Sequence, residues 1–315
     1  MSPTLIGNKT SVESIVMLLS ELIQEATGML REVYPEREAR EIIYAYLEHA
    51  IGTRRHTHIV EPQYEVSDSD AVSAMEAFGR IASGEPLQYV TGYADFYGRR
   101  FRVTPDVLIP RPETELLCRY LLAGGGMSRK AISTDNKRHN KMRLLDMCTG
   151  SGCIAWTLAL EMPGAEVTAV DISDGALAVA STQDFAEEMA RTGACAPKFL
   201  KADVLSHPDS SFCQFDIIVS NPPYVMDKEK ALMRANVLDH EPHLALFVPD
   251  DDPLLFYRAV ADWAKVLLKP EGYGMVEINE ALGPETADVF RSAGFCSVEI
   301  VKDLSDKDRF VVFRR

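Results

Sequence analysis

Long apolar runs are missing from this chain of 315 residues. No stretch approaches the roughly 20 consecutive apolar residues that an α-helix needs to cross a bilayer. Residues 1–10 (MSPTLIGNKT) also lack the basic segment and apolar core of a secretory signal. We therefore expect a cytoplasmic protein that has no membrane partner.

Cysteine is scarce, and no two cysteines form a C-x-x-C pair. The six are Cys118, Cys148, Cys153, Cys195, Cys213 and Cys296. Zinc sites usually need closely spaced pairs, and disulfide scaffolds need a short, cysteine-dense chain. The histidine pairs at 56/58 and 240/243 have no further cluster of ligands beside them. We therefore expect reduced, mostly buried thiols and no metal site.

Positive charge is also in short supply. The chain has 33 Lys and Arg against 47 Asp and Glu, a net charge of −14. Such a surface repels phosphate backbones, which argues against direct binding of nucleic acid. Hydrophobic residues make up 46% of the chain, enough for a sizeable core, and its length suggests two domains at about 150 residues each.

Residues 1–84 are predicted to form a small helical domain. Thr10 and Glu13 have the spacing of a capping box, and apolar residues follow at helical intervals. The predicted helices cover residues 15–30, 35–52 and 67–84. No residue constellation in this region suggests chemistry, so its predicted role is packing or recognition of a partner.

The rest of the chain has a different composition. Residues 85–106 are predicted to be a β-hairpin linker, because aromatic and β-branched residues there alternate with glycines. From residue 143 onward, strands and helices alternate, which indicates a mostly parallel sheet covered by helices on both faces. The predicted second domain covers residues 107–315. Residues 124–141 are polar and glycine-rich, and we expect a surface loop. The predicted strands are 143–147, 166–171, 198–202, 215–220, 273–278, 297–301 and 310–313.

The first chemical motif is LLDMCTGSGCIA, residues 144–155. It reads as a strand, a turn of small residues and a helix start, where glycines let the backbone approach a ligand closely. Asp171 ends the next strand, where a carboxylate can accept both ribose hydroxyls of an adenosine-containing cofactor. Asp203 follows the third strand, at a similar strand end where ligands of open α/β sheets collect. The same residues satisfy the dinucleotide fingerprint G-x-G-x-x-A, so this motif alone leaves a dehydrogenase open.

The second motif is SNPPY, residues 220–224, directly after the apolar strand FDIIV. Its two prolines remove backbone N–H donors and stiffen the chain, so carbonyls can face a ligand. Asn221 supplies an acceptor and two donors, and Tyr224 supplies an aromatic face. The motif predicts a slot for a flat amide or amino group at the carboxyl edge of the sheet.

Together the two motifs resemble those of class I S-adenosylmethionine-dependent methyltransferases that act on planar nitrogens. A more specific similarity, to the HemK/PrmC family of peptide chain release factor N(5)-glutamine methyltransferases, lies in four segments. They are QYVTG (88–92), DFYGRRFRV (95–103), VLIPRPETE (107–115) and EPHLALF (241–247). NPPY alone is shared with adenine-N6 enzymes and with ribosomal-protein glutamine methyltransferases; PRPETE narrows the choice. The resemblance implies a Rossmann-like domain with a seven-stranded, mostly parallel sheet over residues 107–315.

The resemblance also implies a cofactor site for S-adenosylmethionine and a substrate slot beside it. The implied cofactor contacts are Cys148, Thr149, Gly150, Ser151, Gly152, Asp171, Asp203, Val204 and Asn221. The implied substrate slot consists of Asn221, Pro222, Pro223 and Tyr224, with Asn221, Pro222 and Tyr224 as the catalytic residues. Arg111 and Glu113 either shape the cofactor site or hold the hairpin against the catalytic domain.

Three features depart from the family pattern. Cys148 stands where the family usually has glycine, so close backbone approach there depends on a small thiol side chain. Val204 offers an apolar contact where relatives can carry an aromatic residue. Residues 124–141 resemble an insertion ahead of the cofactor motif.

The implied reaction transfers a methyl group from S-adenosylmethionine to the side-chain nitrogen of a glutamine. The implied substrate is the Gly-Gly-Gln motif of class 1 release factors, with residues 1–84 recognising that protein partner. The alternatives are a glutamine methyltransferase acting on a ribosomal protein, an adenine-N6 nucleic-acid methyltransferase, a dehydrogenase and a non-catalytic adaptor. The net negative charge counts against a nucleic-acid enzyme, and a dehydrogenase gives NPPY no role.

Overall fold

A computed structural model describes residues 17–124, 141–209 and 211–315. The chain divides into two compact units, with the boundary between Thr91 and Gly92. The predicted capping box at Thr10 and Glu13, and nearly all of the predicted loop 124–141, lie outside the described residues. Within the described ranges, no helix is long and apolar enough to cross a membrane.

The first unit is helical, as the sequence predicts. Its three longer helices confirm the three predicted ones, although the first begins only at Leu19. Ser67 caps the third by accepting a hydrogen bond from the Asp70 N–H, and Gly52 ends the second in the left-handed conformation at φ +74°. The helices are α1 (Leu19–Leu30), α2 (Glu36–Ile51), α3 (Thr57–Val60), α4 (Asp68–Ala82) and α5 (Leu87–Thr91), with a short antiparallel pair β1 (Met17–Leu18) and β2 (Glu65–Val66).

An apolar core formed mainly by described residues of α1, α2 and α4 holds the first unit together. Leu22, Leu30, Ile43 and Phe78 are completely buried within it, and residues of α1, α2 and α4 supply most of the cluster. This core involves only residues of the first unit, so the unit has an apolar centre of its own.

The predicted hairpin linker, residues 85–106, is not a separate piece of structure. Residues 87–91 form helix α5 of the first unit, and the hairpin itself is shorter: β3 (Tyr93–Phe96) paired with β4 (Arg99–Arg102). Phe96 and Phe101 are almost completely buried in the same apolar cluster as Trp156. The hairpin therefore belongs to the second unit and contributes to its core.

The second unit contains a seven-stranded sheet in the order β12-β13-β11-β8-β5-β6-β7. The strands are β5 (Arg143–Met147), β6 (Glu166–Asp171), β7 (Lys198–Lys201), β8 (Phe215–Ser220), β11 (Leu268–Glu277), β12 (Ser297–Lys302) and β13 (Asp308–Arg314). All neighbours are parallel except that β13 runs antiparallel to β11 and β12. The predicted fold class is confirmed, and every predicted strand corresponds to one observed here.

Helices and short segments connect these strands. Two apolar clusters pack on the sheet, which is why the parallel strands consist largely of apolar residues. The helices are α6 (Pro112–Leu122), α7 (Cys153–Glu161), α8 (Asp174–Ser181), α9 (Ala186–Thr192), α10 (Ala235–Leu238), α11 (His243–Leu246), α12 (Leu255–Leu267) and α13 (Gly283–Ser292). A short parallel pair, β9 (Val225–Met226) and β10 (Phe247–Val248), and two 3₁₀ helices (Asp227–Leu232 and Glu280–Leu282) complete the unit.

The strand order places a crevice at one edge of the sheet. The chain runs outward from β5 through β6 to β7 and then returns to β8, on the other side of β5. Ligands of open α/β sheets bind where the strand order reverses in this way, outside the carboxyl ends of the strands. Met147 pairs with Ser220 in the register of β5 and β8, so the residues following each strand emerge side by side.

Candidate active site

The glycine-rich turn after β5 forms one wall of the site. Gly150 (φ +54°) and Gly152 (φ +78°) adopt left-handed conformations, and Gly152 precedes the first turn of α7. A Cβ on Gly152 would lie 3.0 Å from the Cβ of Ala180, so a side chain there would crowd the helix behind it. The turn therefore needs glycine at this position for both its backbone and its packing.

Asp171 lies at the end of β6 and fixes this turn. Its Oδ2 accepts a hydrogen bond from the Gly150 N–H (2.9 Å), and its Oδ1 accepts one from the Ser173 N–H (2.9 Å). Burial raises the pKa of the Asp171 carboxyl, while these N–H donors act to lower it. Each carboxylate oxygen keeps a further lone pair, so the group can still accept ribose hydroxyls.

Asp203 follows β7 and lines the same crevice. Its Oδ1 accepts a hydrogen bond from the Leu205 N–H (2.9 Å), so the side chain also shapes the local turn. Val204 is buried beside it, while the apolar side chains of Ile172 and Leu205 are nearly half exposed at the rim. Apolar surface beside a carboxylate suits a planar heteroaromatic group that has polar edges.

Asn221 begins the segment after β8 and faces the same space. Its Nδ2 donates a hydrogen bond to Thr114 Oγ1 (3.1 Å), near the start of α6. The Ser220 hydroxyl donates to the Met147 carbonyl (2.7 Å), which ties the ends of β5 and β8 together. The two predicted motifs are therefore held next to each other.

A cleft of about 260 Å³ joins these elements, and most of the predicted site residues line it. The predicted residues that line it are Cys148, Thr149, Gly150, Ser151, Asp171, Asp203, Val204, Asn221 and Pro223. Gly152, Pro222 and Tyr224 do not line it. The far wall comes from the PRPETE segment and from residues 242–245.

Tyr224 points toward the sheet and donates a hydrogen bond to Glu277 Oε1 (3.0 Å). Glu277 ends β11 and is 1% exposed, and its Oε2 accepts a hydrogen bond from the Thr114 hydroxyl (2.8 Å). Sequence reasoning missed both Thr114 and Glu277. The available signal was a carboxylate in the otherwise apolar strand GYGMVEI, a position where a charge needs partners.

Arg111 and Glu241 join the two segments that form the far wall of the cleft. Glu241 is buried, accepts a hydrogen bond from the Ile109 N–H (3.1 Å), and forms an ion pair with Arg111. Arg111 lines the cleft, so of its two expected roles the structure favours shaping the site. Glu113 is exposed, and Glu115 instead accepts a hydrogen bond from the Tyr97 N–H at the hairpin turn (2.9 Å).

Cys148 adopts a left-handed backbone conformation at φ +59°, in the region that favours glycine. The thiol lines the cleft, and the surrounding residues raise its pKa, chiefly through burial. All six cysteines are free, but Cys195, Cys213 and Cys296 are exposed. The expectation of mostly buried thiols is therefore wrong.

The residues of the cleft fit S-adenosylmethionine. Asp171 offers carboxylate acceptors beside a glycine turn, and Asp203 lies beside apolar surface at the next strand end. Both carboxylates also favour a ligand that carries a positively charged sulfonium. The sheet order and this cleft define a class I methyltransferase, for which S-adenosylmethionine is the methyl donor.

Comparisons with known proteins agree with this class. A family model described as the methyltransferase small domain matches residues 130–244, and one described as the PrmC N-terminal domain matches residues 21–92. Three release factor glutamine methyltransferases are similar over most of their length. The one from Bacteroides thetaiotaomicron is 44% identical, and the match covers 75% of this chain and 78% of the relative. The one from Flavobacterium psychrophilum is 35% identical, with 94% of this chain and 98% of the relative covered. The one from Bacillus subtilis is 34% identical, with 92% of this chain and 96% of the relative covered. This chain belongs to the release factor glutamine methyltransferase family.

Proposed function

We propose that this enzyme methylates the side-chain amide nitrogen of the glutamine in the Gly-Gly-Gln motif of class 1 release factors. One observation carries the proposal: Asn221, a planar hydrogen-bonding side chain, lines the same cleft as the glycine turn and Asp171. The paired strand ends Met147 and Ser220 support it, since the residues that follow them, Cys148 and Asn221, emerge side by side. Curated relatives named release factor glutamine methyltransferases support the choice of substrate.

The chemistry requires orientation more than activation. An amide nitrogen is a weak nucleophile because its lone pair is delocalised, whereas S-adenosylmethionine supplies a strongly electrophilic methyl group when bound. Asn221 Oδ1 and the Pro222 carbonyl accept the two N–H bonds of the substrate amide and hold its nitrogen in line with that methyl group. The same acceptors stabilise the positive charge that develops on the nitrogen.

No general base is needed before transfer in this proposal. The substrate nitrogen keeps both protons while the new C–N bond forms, and one proton leaves afterwards to water. Tyr224 does not line the cleft and its hydroxyl is held by Glu277 (3.0 Å), so in this proposal it supports the NPPY segment and does not pack on the substrate amide. In this proposal, the first unit supplies the additional surface that selects the protein substrate, because a short glutamine-containing loop cannot distinguish one protein from another.

The test is mass spectrometry of purified release factor after incubation with enzyme and S-adenosylmethionine. We expect a gain of one methyl group, located on the glutamine of the Gly-Gly-Gln peptide after proteolysis. A release factor with that glutamine replaced by alanine is the matched control and should gain nothing. Methylation of a purified ribosomal protein, with the release factor unmodified, would overturn the proposal in favour of the alternative protein substrate.

A further inference from the structure

A continuous chain of hydrogen bonds leads from the cleft into the sheet. Asn221 Nδ2 donates to Thr114 Oγ1 (3.1 Å), the Thr114 hydroxyl donates to Glu277 Oε2 (2.8 Å), and Tyr224 donates to Glu277 Oε1 (3.0 Å). Thr114 and Glu277 are 2% and 1% exposed. The PRPETE segment and strand β11 are thereby linked to both polar residues of NPPY.

Glu277 anchors this chain of hydrogen bonds. In the register of β8 and β11, Val276 pairs with Ser220, so Glu277, the last residue of β11, lies beside the point where Asn221 follows β8. A buried carboxylate needs donors, and both of its oxygens have one here. Burial raises the pKa of Glu277; the hydrogen bonds from Thr114 and Tyr224 and the charge of Arg309 act to lower it, while Glu113 acts to raise it.

The donor groups fix the direction in which each of these hydrogen bonds points, from Asn221 through Thr114 to Glu277. The Thr114 hydroxyl donates to Glu277 Oε2, and this hydrogen bond uses the only proton that the hydroxyl has. The Thr114 oxygen can then only accept from Asn221, which must present its NH₂ group. The other end of the planar amide, Oδ1, is consequently turned away from Thr114 and is free to accept from a ligand.

We propose that Thr114 and Glu277 are positioning residues that fix the orientation of the Asn221 amide, so that Oδ1 serves as the acceptor for the substrate. This inference rests on the proposed function, because it specifies how that acceptor is oriented. Thr114 lines the cleft, but in this inference neither residue acts on the reacting atoms. Their effect on turnover passes through Asn221, and through the Tyr224 hydroxyl that shares the same carboxylate.

Two substitutions at Thr114 test whether this chain of hydrogen bonds orients Asn221. Thr114→Val keeps the shape but removes the hydroxyl, so we expect single-turnover methylation of release factor at saturating cofactor to fall tenfold or more, because the Asn221 amide loses its fixed orientation. Thr114→Ser keeps the hydroxyl and should restore most of the rate. Thr157→Val is the matched control: Thr157 is fully buried in α7, and its hydroxyl has no partner among the described residues.

A second measurement reads the orientation directly and needs no substrate. In protein labelled with ¹⁵N at asparagine side chains, Asn221→Ala identifies the NH₂ signal of Asn221. We expect this signal to move or split in Thr114→Val and in Glu277→Gln, since a glutamine can donate to Thr114 and reverse the chain. It should remain in place in Thr114→Ser and in Thr157→Val.

The outcomes separate this inference from the proposed function. Failure of the wild-type enzyme to methylate release factor overturns the proposed function, and the NMR signal still decides the orientation. An Asn221 signal unchanged by Thr114→Val overturns the inference, whatever the activity. The inference is also wrong if Thr114→Val merely raises KM for the release factor, or if it lowers the melting temperature and cofactor affinity while the rate stays at the wild-type value.

Discussion

Asn221 is the residue on which the proposed chemistry depends most directly. We expect Asn221→Ala to lower the single-turnover rate of methylation by about 10²–10³, the usual effect of losing one preorganised polar group. Folding should change little, because Asn221 is only half-buried and its side chain is held by a hydrogen bond to Thr114. Rapid-quench assays with release factor, together with melting curves, measure both effects.

Asn221→Asp sharpens this prediction. It keeps the acceptor but replaces the NH₂ group that donates to Thr114 with a charged oxygen. If the acceptor alone matters, the Asp variant should be faster than the Ala variant; if the donor also orients the side chain, both should be slow. A wild-type rate in Asn221→Ala would mean that NPPY is a structural turn only.

Asp171 has a different role, in binding the cofactor. Asp171→Ala removes the acceptor proposed for the ribose and also the acceptor that holds the Gly150 and Ser173 N–H groups. We expect a loss of roughly 1.5–3 kcal/mol in the free energy of cofactor binding, measured by calorimetry. Asp174→Ala is the matched control, because that carboxylate lies nearby but is exposed and forms an ion pair with Lys201. Equal cofactor affinity in both variants would contradict the assignment.

Asp146 makes stability depend on pH. It is completely buried under the cofactor turn, accepts a hydrogen bond from the Thr149 hydroxyl (2.6 Å), and burial raises its pKa from 3.8 to about 7. Because the folded-state pKa is the higher one, the folded protein binds this proton more tightly. The contribution of Asp146 to stability is therefore greatest at low pH and is lost as pH rises from about 4 to about 7.

Asp146→Asn removes this titration. We expect the free energy of unfolding of the wild type, relative to the variant, to fall as pH rises from about 4 to about 7. Urea unfolding at a series of pH values measures the difference. Parallel pH profiles for the two proteins would show that Asp146 does not titrate in this range.

At the scale of elements, the far wall of the cleft is held by a buried ion pair between Arg111 and Glu241. Glu241 joins the segment of α10 and α11 to the Ile109–Arg111 loop through the Ile109 N–H and the Arg111 guanidinium. Removing one partner of a buried pair costs about 3–5 kcal/mol, and less here because Arg111 is a third exposed.

We therefore expect Glu241→Ala to open this wall locally. Amide hydrogen exchange should speed up tenfold or more in residues 107–112 and 235–246, and cofactor affinity should fall because these segments line the cleft. Asp288→Ala, which breaks the exposed pair with Arg291, is the control and should leave both segments unchanged. If exchange instead speeds up across the whole sheet, Glu241→Ala destabilises the protein globally, and the ion pair does not act locally on these two segments.

At the scale of the whole molecule, the two units should divide the work. A chain beginning at Gly92 keeps the hairpin, the sheet and the cleft, so we expect it to bind S-adenosylmethionine with the affinity of the full protein. It should methylate intact release factor at least about tenfold more slowly, because it lacks the unit that we propose recognises the release factor. Calorimetry and mass spectrometry measure the two properties.

A chain beginning at residue 107 is the informative comparison. It loses Phe96 and Phe101, each almost completely buried, and burying a phenylalanine is worth about 1.5–3 kcal/mol. We expect a markedly lower melting temperature than for the chain beginning at Gly92. Full methylation activity in the chain beginning at Gly92 would contradict the proposal that the first unit recognises the partner.

The sequence by itself determined the elements and the two motifs. Strand periodicity located β5, β6 and β8 to the residue, because their apolar runs are bounded by turn residues that act locally. The position of Asp171 beside the glycine turn could also be predicted from sequence, since a parallel sheet brings the ends of neighbouring strands to one edge. The linker was misplaced because a run of aromatic residues does not reveal which core will bury Phe96 and Phe101.

Only the tertiary structure decided what supports the site. Thr114 and Glu277 are 163 positions apart, and Ile109 and Glu241 are 132 apart, so no local pattern connects either pair. Their partners are chosen by the order and register of the strands, which bring β11 beside β8 and the PRPETE segment over both. A buried carboxylate signals in sequence that partners must exist, but which side chains donate to it depends on which distant segments the fold brings together.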